Sequence, residues 1–165
     1  MLNLASIQKS AHYCWRKGIP VLPSILQFVI FVCYSSAVHY KVKLGRGTFF
    51  NHGGLGCLIN SAVEIGENCK IGNNVSIVGQ GPYKHVPKVG NRVYIGPGAV
   101  IQGPVIIEDG VIIAPNAVVN KSVPANAIVA GIPAKIIGWS DSLEYDIFAN
   151  ESWNEDFKPF LKNDL

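Results

Sequence analysis

Aliphatic residues recur through the middle of the chain at a fixed interval of six: Ile59, Ile65, Ile71, Ile77, Val89, Ile95, Ile101, Ile107, Ile113 and Val119. The one longer gap is of twelve and has Tyr83 at its midpoint. Four residues after most of these stands a second small apolar residue: Val63, Cys69, Val75, Val93, Ala99, Val105, Val111, Ala117 and Val123. Turn formers lie between, among them Gly66, Gly72, Asn73, Asn74, Gly90, Asn91, Gly96, Asp109, Gly110 and Asn116. A period of six excludes an amphipathic helix, which needs about 3.6. It fits short strands joined by turns at regular corners. The β-branched residues suit strands, and glycine and asparagine tolerate the positive φ that corners need. Successive coils stack at about 4.8 Å and pair their backbones. The aliphatic column then becomes one continuous core, and no single repeat is stable alone.

The two ends lack this period. Residues from Met1 to about Ser36 are expected to form one or two helices, broken where Gly18, Pro20 and Pro23 punctuate the chain. They would cap the first coil, whose open strand edges need cover. The run from Ile25 to Val38 is apolar but interrupted by Gln27, Ser35 and Ser36. It falls short of the ~20 residues that span a bilayer. It is expected to pack on its own protein, with peripheral contact to a membrane surface left open. No charged start, apolar stretch and cleavage site follow one another, so no signal peptide is expected and the location is read as cytoplasmic. After Gly138 the chain turns acidic and aromatic. Trp139, Leu143, Phe148, Trp153, Phe157 and Phe160 suggest a short helical tail packed on the coils or on a neighbour; a flexible tail is the other reading. The expected division is a helical cap over 1–37, a β-helix over 38–138 and a tail over 139–165.

Composition adds little more. The chain has 165 residues, of which 48% are hydrophobic and only 15% charged, which suits one domain that buries surface against other copies. A net charge of +3 is too weak to argue for nucleic acid and compatible with an anionic ligand. Cys14, Cys33, Cys57 and Cys69 fit neither a zinc nor a redox spacing, so reduced, mostly buried thiols are expected.

The phrases "IGENCK IGNNVS" and "VGNRVY IGPGAV IQGPVI IEDGVI IAPNAV" resemble the left-handed β-helix of hexapeptide acyltransferases, in which three hexapeptides make one triangular coil. The resemblance implies an all-β fold, a left-handed parallel β-helix of hexapeptide repeats with short N-terminal helices and a C-terminal helical tail. The 81 positions from Leu44 to Pro124 would make about four and a half coils. "AGIPAKIIG" and "LGRGTFFNHGGLGCLIN" resemble serine acetyltransferases and their relatives. "YKHVPKVGNRVYIG" resembles the short serine-acetyltransferase-like proteins associated with surface polysaccharide synthesis. Together these likenesses run from about Lys17 to Gly138. Two departures stand out. The large helical domain that precedes the β-helix in serine acetyltransferases is reduced to about forty residues before Leu44. The aspartate that the family pairs with its catalytic histidine falls on Ala37, with no acid nearby. That departure turns the expected acceptor from L-serine to a sugar hydroxyl.

Acetyl transfer needs a base for the acceptor hydroxyl, a donor for the oxyanion and a hold on the coenzyme A arm. His52, in "FNHGGLG", matches the family's catalytic histidine; from the residues alone it is equally a solvated turn histidine. Asn51 could orient its ring or the substrate. His85, in the stretch where the repeat lapses, is either a loop tip or a second active-site histidine, and Tyr83 and Lys84 beside it are candidate substrate contacts. The resemblance places acetyl-CoA in a groove between subunits, along Gly79, Pro97, Gly98 and Pro115, with Lys121 and Lys135 at its phosphates or simply solvated. His12 and His39 are given no role. A zinc-bearing β-helix with carbonic anhydrase activity places two histidines a few residues apart, unlike His39, His52 and His85, so no metal is expected. The reading is a homotrimeric, acetyl-CoA-dependent O-acetyltransferase acting on a sugar or surface-polysaccharide precursor, with His52 as base. A serine O-acetyltransferase of reduced size and a catalytically silent β-helix are the alternatives.

Overall fold

The computed structural model describes residues 3–143 and Ile147. Two helices come first, α1 (Leu4–Arg16) and α2 (Leu22–Tyr34). Asn3 caps α1, its side chain accepting from the Ala5 amide at 3.0 Å. Buried Leu4, Ala5, Gln8 and Ala11 give α1 one inward face. A turn over 17–21, with Val21 at φ +68°, leads into α2, which has proline in its first turn and ends on left-handed Ser35.

The coils follow. The first is β1 (Ala37–Val38), β2 (Lys43–Leu44) and β3 (Phe49–Phe50), and the second is β4 (Leu58–Ile59), β5 (Glu64–Ile65) and β6 (Lys70–Ile71). The third is β7 (Ser76–Val78), β8 (Lys88–Val89) and β9 (Tyr94–Ile95), and the fourth is β10 (Val100–Gln102), β11 (Ile106–Ile107) and β12 (Ile112–Ile113). A shortened last coil holds β13 (Val118–Val119) and β14 (Ala127–Ala130), joined at Val123 by a bridge to Ile107. These strands form three parallel faces: β1-β4-β7-β10-β13, then β2-β5-β8-β11, then β3-β6-β9-β12-β14. β15 (Lys135–Trp139) closes the third face by pairing antiparallel with β14. It covers a strand edge that would otherwise lie open. The helical tail expected over 139–165 falls almost wholly outside the described residues. Trp139 belongs to β15, and Ser140–Ser142 make one short helical turn.

The core is the column read from the sequence. Ile71, Ile77, Ile95, Ile101, Ile107 and Ile113 are fully buried, as are the small residues Cys69, Val75, Val93, Ala99, Val111 and Ala117. The column also extends upstream through Val38, Leu44 and Phe50. The coils are not all of one length. Ile59 pairs with Ile77 and Ile101 with Val119, a step of 18 residues. Val38 pairs with Ile59, a step of 21, and Ile77 with Ile101, a step of 24. The additional residues lie between Phe50 and Ile59 and between Ile77 and Val89. They are not coil, so Leu44–Pro124 holds nearer four turns than four and a half.

Two thiols depart from expectation. Cys57 and Cys69 are buried, but Cys33 is exposed and Cys14 half-buried; all four are free. The helix α2 also buries only part of itself. No helix among the described residues is long and apolar enough to cross a membrane.

Candidate active site at a coil corner

The three-residue insertion is the His52 turn. Phe50 is buried and anchors the chain as it leaves β3. His52, Gly53 and Gly54 then take φ of +50°, +80° and +95° in succession. Glycine accepts this region freely, whereas a histidine held there is strained, a condition that concentrates at functional sites. Gly54 has no room for a side chain: a Cβ would stand 2.9 Å from the Phe50 Cβ and 3.0 Å from the Leu4 Cβ.

The cap braces this turn. The Ser36 hydroxyl donates to the Gly54 carbonyl at 2.7 Å and accepts from the Cys57 amide at 2.9 Å. The Gly56 amide donates to the Tyr34 carbonyl at 3.0 Å. Asn3 donates from its side-chain amide to the Phe50 carbonyl at 2.6 Å and accepts from the Phe50 amide at 3.3 Å. The result is an exposed imidazole on a turn held from beneath. Ser36 and Asn3 were not singled out in the sequence. The signal for Ser36 was a serine at the end of an apolar helix run, which reads equally well as a helix end.

The groups expected to hold coenzyme A divide between two edges. Pro97, Gly98 and Pro115 stack on the His52 edge, between the third and first faces. The Asn74 amide donates to the Leu55 carbonyl at 2.8 Å, Gly98 to Asn73 at 2.9 Å and Asn116 to Pro97 at 2.9 Å. A Cβ on Gly72 would meet the Pro97 nitrogen at 2.5 Å, and one on Gly96 the Pro115 nitrogen at the same distance. The edge is therefore a close ladder of backbone, and Pro97 already lends its carbonyl to Asn116.

Gly79, Tyr83, Lys84, His85 and Lys121 lie on the next edge, between the first and second faces. The six-residue insertion is here. It makes the connection from β7 to β8 nine residues, against three from β10 to β11. Lys84 and His85 line a cavity of about 400 Å³ with Lys88, Pro104 and Ile106. Tyr83 is exposed. Lys135 opens β15 and is exposed. Within the single chain His52 and His85 thus stand on different edges.

The remaining histidines are structural. His12 is half-buried, with Nδ1 at 3.0 Å from the Tyr40 carbonyl. His39 accepts from the Lys41 amide at 3.0 Å and stacks on Tyr40. Burial, and then the Lys41 charge, hold its pKa below the usual histidine value. No acid precedes Glu64 in the chain, so no carboxylate stands near Ala37 in sequence. Among the described residues no His, Cys, Asp or Glu cluster is placed to hold a metal.

Residues 87–121 match the bacterial transferase hexapeptide repeat (six repeats). The chain is 34% identical to the serine acetyltransferase of Mycobacterium tuberculosis over 79% of its own length and 57% of that protein. It is 38% identical to the Helicobacter pylori serine acetyltransferase over 61% of its length and 59% of that protein. Among solved structures, a Brucella abortus strain S19 serine acetyltransferase in complex with coenzyme A superposes with a TM-score of 0.78 at 31% identity, covering 82% of this chain and 55% of that one. A serine acetyltransferase in complex with cysteine gives 0.77 at 30% identity, covering 85% and 55%. The chain spans somewhat over half the length of the relatives it matches. These matches make the coils a left-handed β-helix.

They also correct the expected acceptor. The matched proteins are serine acetyltransferases, and nothing in them supports a surface-polysaccharide subtype or its sugar hydroxyl. The absence of an acid at Ala37 does not decide the acceptor. A missing carboxylate changes how a histidine is oriented; it does not select the hydroxyl that histidine deprotonates. Residues 87–121 carry the bacterial transferase hexapeptide repeat, and the chain is similar over most of its length to serine acetyltransferases.

Proposed function

We propose that this chain transfers an acetyl group from acetyl-CoA to the hydroxyl of L-serine, with His52 as general base. The observation that carries the reading is the His52 turn: an exposed imidazole in left-handed backbone, on an insertion braced by Ser36, at the head of the edge that holds Pro97, Gly98 and Pro115. His52 takes the serine hydroxyl proton as the oxygen attacks the thioester carbonyl. The tetrahedral intermediate collapses with cleavage of the C–S bond, and the proton passes to the departing thiolate. The related structures carrying coenzyme A, cysteine and serine support this ligand set.

The working unit is a homotrimer. His52 and His85 occupy different edges of one protomer, and a neighbouring copy brings the His85 loop, with Tyr83 and Lys84, against the His52 edge. Coenzyme A then lies in the groove between copies, packed on Pro97, Gly98 and Pro115, with Asn51 beside the base and Gly79, Lys121 and Lys135 supplied from the facing edge and the chain's end.

The test is free-thiol release from acetyl-CoA with L-serine as acceptor. His52→Ala is expected to cut turnover by about 10²–10⁴ while light scattering shows the trimer intact. Turnover close to the parent would remove His52 from the role. A trimer that binds coenzyme A yet leaves L-serine unacetylated would remove the acceptor.

A further inference from the structure

The helix α2 is apolar apart from Ser24 and Gln27, and it is covered on only one side. Pro23, Ile30 and Tyr34 face the protein. On the opposite side Val21, Ile25, Phe28 and Val32 follow one another at helical spacing, exposed by 68%, 51%, 65% and 60%, with Phe31 beside them at 60%. A helix that is hydrophobic all round belongs in an interior or against an apolar partner. α2 contains no charged residue.

The charge around it is of one sign. Residues 1–63 contain Lys9, Arg16, Lys17, Lys41, Lys43 and Arg46 and no Asp or Glu. Lys43 pairs with Glu64, and Arg46 with Glu67 at 3.6 Å, both in the second coil. Arg16, Lys17 and Lys41 are exposed and form no ion pair among the described residues. Two of them rest on exposed aromatic rings of α1, the helix that packs beside α2: Lys17 over Tyr13 and Lys41 over Trp15, each 5.8 Å from the ring centre.

We propose that this face lies on an anionic lipid surface, with α2 in the plane of the interface. A helix of 13 residues is about 20 Å long, too short to span and long enough to lie flat. Ile25, Phe28, Phe31 and Val32 enter the acyl boundary, Tyr13 and Trp15 sit at headgroup depth, and Arg16, Lys17 and Lys41 meet the phosphates. The sign of the charge favours an anionic lipid surface over a second copy of the cap on this face, because residues 1–63 bring cations and no acid of their own to such a contact.

The purified full chain is sedimented with vesicles of phosphatidylcholine alone, and of phosphatidylcholine with one third phosphatidylglycerol, at low and high salt. Binding is expected to the anionic vesicles only and to weaken with salt. Arg16→Glu with Lys17→Glu should lower partition by about tenfold or more. Phe28→Asp with Phe31→Asp should abolish it while the melting temperature and thiol release stay at parental values, since both rings are exposed. Failure to bind anionic vesicles overturns the proposal, as does binding that survives the Phe28/Phe31 change. Vesicle-free assembly beyond the trimer that depends on Phe28 gives the face to another copy. Binding that appears only after removal of 144–165 gives it to the chain's own acidic segment. Either result overturns the proposal.

Discussion

Removing residues 80–85 separates the coil from what is inserted in it. The connection from β7 to β8 would shrink from nine residues to three, Gly79, Val86 and Pro87, the same length as Gly103, Pro104 and Val105 in the coil above. Ile77 and Val89 would keep their partners Ile101 and Ile107, because those pairs lie outside the cut. Val86, which packs on the core, would be retained. Little else is lost. The one backbone hydrogen bond within the insertion, from the Tyr83 amide to the Gln80 carbonyl, contributes about 1 kcal/mol. Shortening the loop threefold returns about 1 kcal/mol of closure entropy. The two nearly cancel, so the melting temperature should move by no more than about 4 °C. Activity should not survive so well. Thiol release with L-serine should fall by about 10²-fold if His85 and its neighbours complete the site in the adjacent copy. A variant that melts far below the parent would show that the insertion is part of the coil. One that keeps full turnover would show that the edge between the first and second faces has no part in the chemistry.

Other changes test other levels. Gly54→Ala places a methyl group against Phe50 and Leu4 at φ +95°, and thermal unfolding should register a loss of about 2 kcal/mol or more; an unchanged midpoint would mean the turn is not held by the cap. A thiol reagent in native buffer should modify Cys33 quickly. It should spare Cys57, whose thiol burial pushes up to about 11, and Cys69, raised by the same cause, until the protein is denatured. Rapid native labelling of Cys57 would contradict the buried column. The Cys33 signal must also be subtracted before thiol release is read as turnover.

The fold was legible because its physics is periodic. A buried position every six residues has one simple realisation, and Ile71, Ile95 and Ile113 stack on one another for the reason that they repeat. The start of the coil was legible too, since Val38, Leu44 and Phe50 stand at the same interval, but the gap of nine from Phe50 to Ile59 hides their membership in the column. The cap was legible as two helices around a break. Its unpaired face was not, because an apolar helix looks the same in sequence whether all of it is covered or only half.

The candidate site was legible where it interrupts the period. An insertion of six preserves the phase of a six-residue repeat, so the His85 loop appears in sequence only as one missing aliphatic at Tyr83. An insertion of three breaks the phase, so the His52 turn separates two runs that each look complete. In both places the added residues have no core position to fill, and nothing in the packing of the coil requires a histidine there. Side chains that a solenoid does not need for stacking are the ones free to serve chemistry. That argument selects His52 and His85 over His12 and His39, which are committed to Tyr40 and the Lys41 amide. It does not reach the acceptor. Ala37 occupies the outer, exposed position of β1, and losing a carboxylate there removes one way of orienting His52 while leaving the turn, its Ser36 brace and its edge unchanged.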